Sequence, residues 1–115
     1  MNILDAVVFY TNDLDTAVDF YTNKIGLKLD YQSGDKYASF LFDNGVKLGI
    51  KKAKEEREIP GAQTLFLAVQ DARSEYAVAK EKGLNILKEL VEEDWAMEFS
   101  VLDPDGNKIE FVQNK

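Results

Sequence analysis

One order of elements occurs twice in this chain, and a repeat of that kind narrows the possible folds more than any other feature of the sequence. Residues 3–10 are apolar and rich in β-branched and aromatic side chains, which predicts a strand. Asp13 then opens a helix. Leu14, Ala17, Val18, Tyr21 and Ile25 recur at helical spacing, with Phe20 beside them, and Gly26 closes it. Strands are predicted over residues 27–31, 37–42 and 46–51, the last two joined by the hairpin signal Asp43-Asn44-Gly45. The same order returns as a strand over residues 64–69 and a helix between Asp71 and Gly83. Strands over 86–91, 95–102 and 108–112 complete it. In the alignment of the two copies Tyr37-Ala38 matches Trp95-Ala96. The turn Asp103-Pro104-Asp105-Gly106 matches the first hairpin with one residue inserted, and Lys47-Leu48-Gly49-Ile50 falls on Lys108-Ile109-Glu110-Phe111. Each copy is a βαβββ unit, and so small a sheet needs a partner to bury its apolar surface. The expected organisation is module one over residues 1–52, a linker over 53–61, and module two over 62–115. The linker is charged, ends in Pro60-Gly61, and reads as a solvated connector.

The chemistry open to such a chain is bounded by what it lacks. There is no histidine and no cysteine among the 115 residues. The usual neutral-pH base, the commonest metal ligand, disulfides and thiol catalysis are all missing. The net charge is −7, which disfavours nucleic acid and anionic membrane surfaces as partners. The amino terminus has no basic region before its apolar residues, and no apolar run approaches the ~20 residues that span a bilayer. These features predict a cytoplasmic protein.

Asp13 with Phe20-Tyr21 and Gly26-Leu27, and Asp71 and Gly83 with Asp103-Pro104-Asp105-Gly106-Asn107 and Ile109-Glu110, resemble the vicinal oxygen chelate superfamily. That group is also called the glyoxalase, bleomycin-resistance and extradiol dioxygenase superfamily. The resemblance covers the whole chain. It implies an α+β fold in which two βαβββ modules pair curved mixed sheets around a cavity. It also implies where metal ligands would stand, on the first and fourth strands of each module. Those positions are Ala6 and Gly49 in the first module and Thr64 and Glu110 in the second. One carboxylate does not hold a catalytic divalent ion, which needs about three protein ligands. No metal and no cofactor is expected. A count slipped by one would bring in Asp5 and Gln63 instead, with Val7 and Phe9 on the cavity face.

Strand alternation assigns the remaining side chains. Ala6, Val8 and Tyr10, Lys47, Gly49 and Lys51, Ala96, Glu98 and Ser100, and Lys108, Glu110 and Val112 are expected on the cavity side. Through the Tyr37–Trp95 match, Ala38, Phe40 and Phe42 join them. The expected ligand-binding residues are Tyr10, Phe40, Phe42, Trp95, Glu98 and Glu110. Each has a plainer alternative. Glu110 can pair with Lys47 or Lys108, Trp95 can anchor a core or an interface, and Phe40 and Phe42 can form a dimer core.

Three functions follow from the resemblance. The first is a metal-independent binding protein like the bleomycin-resistance branch, a homodimer that sequesters a cationic or aromatic drug. The second is a glyoxalase-type lyase, isomerase or dioxygenase with a degenerate or substrate-completed metal site. The third is a structural module with a filled cavity.

Overall fold

A computed structural model describes all residues, Met1–Lys115. The chain divides into two compact units, Met1–Gly61 and Ala62–Lys115. The first contains β1 (Ala6–Thr11), α1 (Leu14–Asp19), β2 (Lys28–Ser33), β3 (Tyr37–Leu41) and β4 (Lys47–Lys52). The second contains β5 (Thr64–Ala68), α2 (Ala72–Glu81), β6 (Asn85–Glu92), β7 (Ala96–Leu102) and β8 (Lys108–Asn114). The sheets have the orders β1-β4-β3-β2 and β5-β8-β7-β6. In each, the strand before the helix pairs in parallel with the last strand, and the other pairs are antiparallel. The mixed sheet is a consequence of order. A helix crossover permits parallel pairing, whereas hairpins force the rest antiparallel.

Both helices start the same way. Asp13 is extended, and its carboxylate accepts from the Thr16 amide at 3.2 Å and the Thr16 hydroxyl at 2.9 Å. Asp71 does the same with the Ser74 amide at 3.1 Å and hydroxyl at 2.8 Å. These bonds satisfy donors that the first turn of a helix leaves open, and hold both carboxyls below the usual carboxylate range. In α1 the α-helical hydrogen bonding gives way to a π-helical segment, Phe20–Ile25, which ends at Gly26 with φ 86°. Phe20 and Tyr21 are both buried there, with their rings edge to face at 5.2 Å.

Each core lies between a helix and one face of its own sheet. In the first unit Phe9, Leu48, Ile50, Ala38 and Phe40 face Leu14, Ala17 and Tyr21, and the Tyr21 and Phe40 rings lie 5.9 Å apart. In the second, Phe99 stacks on Phe111 at 4.6 Å and meets the edge of Tyr76 from α2 at 5.1 Å. Truncating a ring such as that of Phe99, which is fully buried, costs about 3–5 kcal/mol.

The two hairpins are of equal length, contrary to the expected insertion. Leu41 pairs with Lys47 and Leu102 with Lys108. The Phe42 amide donates to Val46 as Asp103 donates to Asn107, so Phe42 stands where the second unit has Asp103. The linker also differs from expectation. Glu58 is 4% exposed. Its carboxylate accepts from Lys51 Nζ at 2.6 and 2.7 Å and from the amides of Lys54 and Glu55 at 2.9 and 3.0 Å. Residues 53–61 therefore fold onto the first unit.

Candidate functional site

Register decides which side chains share the face that the helix leaves open, because residues paired across strands project to the same side. In the first unit three rows run across the open face. They are Ala6–Lys47–Leu41–Lys28, Val8–Gly49–Ser39–Tyr31 and Tyr10–Lys51–Tyr37–Ser33. In the second unit the rows are Thr64–Lys108–Leu102–Asn85, Phe66–Glu110–Ser100–Lys88 and Ala68–Val112–Glu98–Val91.

Most of the expected face residues lie on these rows. Tyr10, Glu98 and Glu110 are among them, as are Ala6, Gly49 and Thr64. The slipped count is excluded, since Val7 and Phe9 pair with Leu48 and Ile50 on the helix side. Ala38, Phe40 and Phe42 need correction. Ala38 and Phe40 pair with Ile50 and Leu48 beneath the helix, and Phe42 continues their alternation into the hairpin. The true equivalent of Ser100 is Ser39, paired with Gly49 as Ser100 pairs with Glu110. The Tyr37–Trp95 match was off by three residues, an odd number, and an odd slip reverses every face. Trp95 stands in the bend before β7, 66% exposed, with its carbonyl accepting from the Lys115 amide. It is not on the Glu98–Glu110 face.

The open face of the second unit carries a compact charge network. Glu110 is 2% exposed. Its Oε1 lies 3.1 Å from Lys108 Nζ and its Oε2 lies 3.3 Å from Lys88 Nζ. Lys88 also donates to Glu98 at 2.6 Å. That bond, helped by Glu110, raises the Lys88 ammonium above its ordinary value against the opposing effect of burial. A buried carboxylate requires such partners, because an isolated charge away from water is costly.

The open face of the first unit is built differently. Gly49 has no side chain, and a Cβ there would collide with the Tyr37 hydroxyl and lie 2.7 Å from Tyr37 Cζ. The phenol of Tyr37 thus fills the space a ligand-bearing side chain would need. Burial pushes its hydroxyl up from the ordinary value, and Tyr31, whose ring lies 6.1 Å away, adds to the effect. Lys51 is taken by Glu58. Tyr31, Tyr37 and Glu58 were not singled out from the sequence. The Tyr37 signal was the glycine on β4, and the Glu58 signal was hidden in a run of charges.

The residues at the four ligand positions do not fit a divalent metal. Ala6 and Gly49 offer no donor, Thr64 a weak one, and both Glu110 oxygens face ammonium groups. No three Asp or Glu side chains converge to make another centre. A cleft of about 470 Å3 in the first unit is lined by Asp35, Lys36, Lys51, Lys52, Ala53 and Lys54; of these Lys51 was expected on the cavity side, and it stands between Tyr10 and Tyr37 on the open face. Its charges are partly matched, Lys52 by Asp35 at 3.5 Å and Lys51 by Glu58.

The turn residues that suggested the family are structural. Asp103 accepts from the amides of Asp105 and Asn107 at 2.9 and 2.8 Å and from Asn107 Nδ2 at 2.8 Å. Asn107 Oδ1 in turn accepts from the Gln63 amide at 3.1 Å, fixing the start of β5 beside β8. No helix is long and apolar enough to cross a membrane.

Comparison with solved structures finds this fold throughout the chain. TnmS3, an antibiotic binding protein from Streptomyces sp. CB03234, is 22% identical with a TM-score of 0.85, over 100% of this chain and 98% of its own. A virulence protein from Salmonella typhimurium is 21% identical with a TM-score of 0.84, over 100% and 98% of the two chains. A Glyoxalase/bleomycin resistance protein/dioxygenase superfamily member from Sphaerobacter thermophilus is 18% identical with a TM-score of 0.83, over 99% and 98%. No curated protein sequence matches significantly. The model of one family matches residues 3–111, from just before β1 to the β8 residue after Glu110, and by that match the chain belongs to the Glyoxalase/Bleomycin resistance protein/Dioxygenase superfamily.

Proposed function

We propose that this protein binds a small aromatic molecule without a metal, in the manner of the bleomycin-resistance branch, and acts by sequestering it. The observation that carries this reading is the state of the four ligand positions. Three provide no useful donor, and the fourth, Glu110, is a lone carboxylate whose charge Lys88 and Lys108 balance. Tyr10, Tyr31 and Tyr37 give the first open face an aromatic lining, and Phe66 does so for the second. Apolar walls with few polar groups are what small-molecule sites generally present. TnmS3 is an antibiotic binding protein of the same fold, which supports an antibiotic as the kind of ligand. The expected cationic ligand is the less favoured class, because Glu98, Glu110 and Glu58 are each matched by a lysine.

The working form is proposed to be a homodimer. The sheet edges are open for pairing, and Leu29 and Tyr31 on edge strand β2 and Phe66 on edge strand β5 are exposed. Sedimentation at several concentrations checks this, and a 13.0 kDa species at all of them overturns it. For the function, calorimetric titration with bleomycin-type and planar aromatic antibiotics, with and without chelator, is decisive. Saturable binding at micromolar ligand that survives the chelator is expected. No binding, or binding that the chelator abolishes, overturns the proposal.

A further inference from the structure

Two buried polar atoms on the open face of the second unit have no hydrogen-bond partner, Ser100 Oγ and Glu110 Oε2. The two residues are directly opposite each other on β7 and β8. Both are buried almost completely. Lys88 Nζ lies 3.3 Å from Glu110 Oε2 and supplies charge there, without the alignment of a hydrogen bond. Buried groups of this kind are normally satisfied, and an exception asks for an explanation. Directly opposed residues project to the same face with Cβ atoms about 5 Å apart, so the two side chains are neighbours there.

We propose that Ser100 and Glu110 together receive the hydroxyl group of an aromatic ligand, a phenol. This rests on the binding-protein reading above and names the ligand's chemistry. A phenolic O–H donates to Glu110 Oε2, and the phenolic oxygen accepts from the Ser100 hydroxyl. One group then satisfies both atoms. An ammonium group suits the site less well. Glu98, Glu110, Lys88 and Lys108 balance to zero charge, and Lys88 and Lys108 already sit within 3.3 and 3.1 Å of the carboxylate. An added cation would lie beside two others. Phe66, opposite Glu110 on β5 and 66% exposed, offers a ring for the aromatic body of the ligand. Lys88 and Lys108 keep 39% and 37% of their side-chain surface exposed, so flexible arms form the solvent edge of the network.

The test is titration of the full chain with 2-naphthol, naphthalene and 1-naphthylmethylamine, followed by amide chemical shifts in β7 and β8. A hydrogen bond to a charged acceptor predicts 2-naphthol binding about tenfold or more tighter than either analogue, with the largest shifts around Ser100 and Glu110. Ser100→Ala should remove that preference, bringing 2-naphthol to the affinity that naphthalene has for the same variant. Glu110→Gln should weaken it as well, and Ser100→Ala alone suffices if that variant does not fold. Equal binding of 2-naphthol and naphthalene, a preference that persists in Ser100→Ala, or shifts elsewhere in the chain would overturn the proposal while leaving the antibiotic-binding reading intact. Failure of all three probes to bind would overturn it too, and the antibiotic titration would then decide the broader reading on its own.

Discussion

The middle rows of the two open faces, Val8–Gly49–Ser39–Tyr31 and Phe66–Glu110–Ser100–Lys88, occupy the same place in the same topology. One carries glycine at the place where the other carries Glu110. Where glycine stands, the space is taken by the Tyr37 phenol, and that position carries no charge to be matched. Where Glu110 stands, two lysines and a second glutamate surround it. The backbone tolerates both solutions because the helix face, not the open face, holds each unit's core.

The sharpest way to break this comparison is to strip the second unit of its counter-ions. Lys88→Met with Lys108→Met leaves Glu110 buried with no cation, and removing the partners of a buried charge costs about 3–5 kcal/mol. Urea denaturation should show a fall of that size. Adding Glu110→Leu to the pair should recover most of it, since a buried ion pair replaced by apolar side chains is often neutral or stabilising. A triple variant no more stable than the double would mean that the network is not what the lysines serve.

The corresponding change in the first unit tests whether the Tyr37 phenol occupies the space that a side chain at position 49 would need. Gly49→Ala drives a methyl into the Tyr37 hydroxyl and ring, and overpacking of that kind costs about 1–3 kcal/mol. Tyr37→Ser in the same chain should relieve it, so that the double variant is more stable than the sum of the two single changes. Additive effects would show that the phenol and the glycine are unrelated.

The same contrast explains what could be read beforehand. In the second unit, alternation placed Glu98, Ser100 and Glu110 on one face, because Met97, Phe99 and Val101 are apolar without interruption. In the first unit β3 reads Tyr-Ala-Ser-Phe-Leu, with apolar residues on both faces, and alternation gives no answer. The Tyr37–Trp95 match runs three residues out of register with the Ser39–Ser100 equivalence, and an odd slip puts Phe40 on the wrong side. The equal hairpins were obscured because Phe42 replaces Asp103, the residue that organises the second turn through its carboxylate. The lysine cage of Glu110 was half legible. Lys108 is two residues away on the same strand and face, whereas Lys88 arrives only through a β6 strand whose register is interrupted.

The smallest expected effect concerns Glu58, the carboxylate that only the first unit places beneath a folded-back segment. The Glu55 amide, the Lys51 ammonium and the Lys54 amide hold its pKa down to about 2. In the unfolded chain a glutamate titrates near about 4.3. A group whose pKa is depressed on folding stabilises the protein above the unfolded value, and that contribution is lost as pH falls through the folded one. The urea midpoint of the native chain should therefore exceed that of Glu58→Gln above about pH 4.5. The gap should close between about pH 4.5 and 2, as protonation removes the charge that the glutamine never had. Glutamine keeps an acceptor for the Lys54 and Glu55 amides, so the part that titrates is the charge facing Lys51. A gap that is constant from pH 6 to pH 2 would show that Glu58 acts through shape and hydrogen bonding alone. In that case residues 53–61 would be fastened to the first unit without help from the Lys51 ion pair.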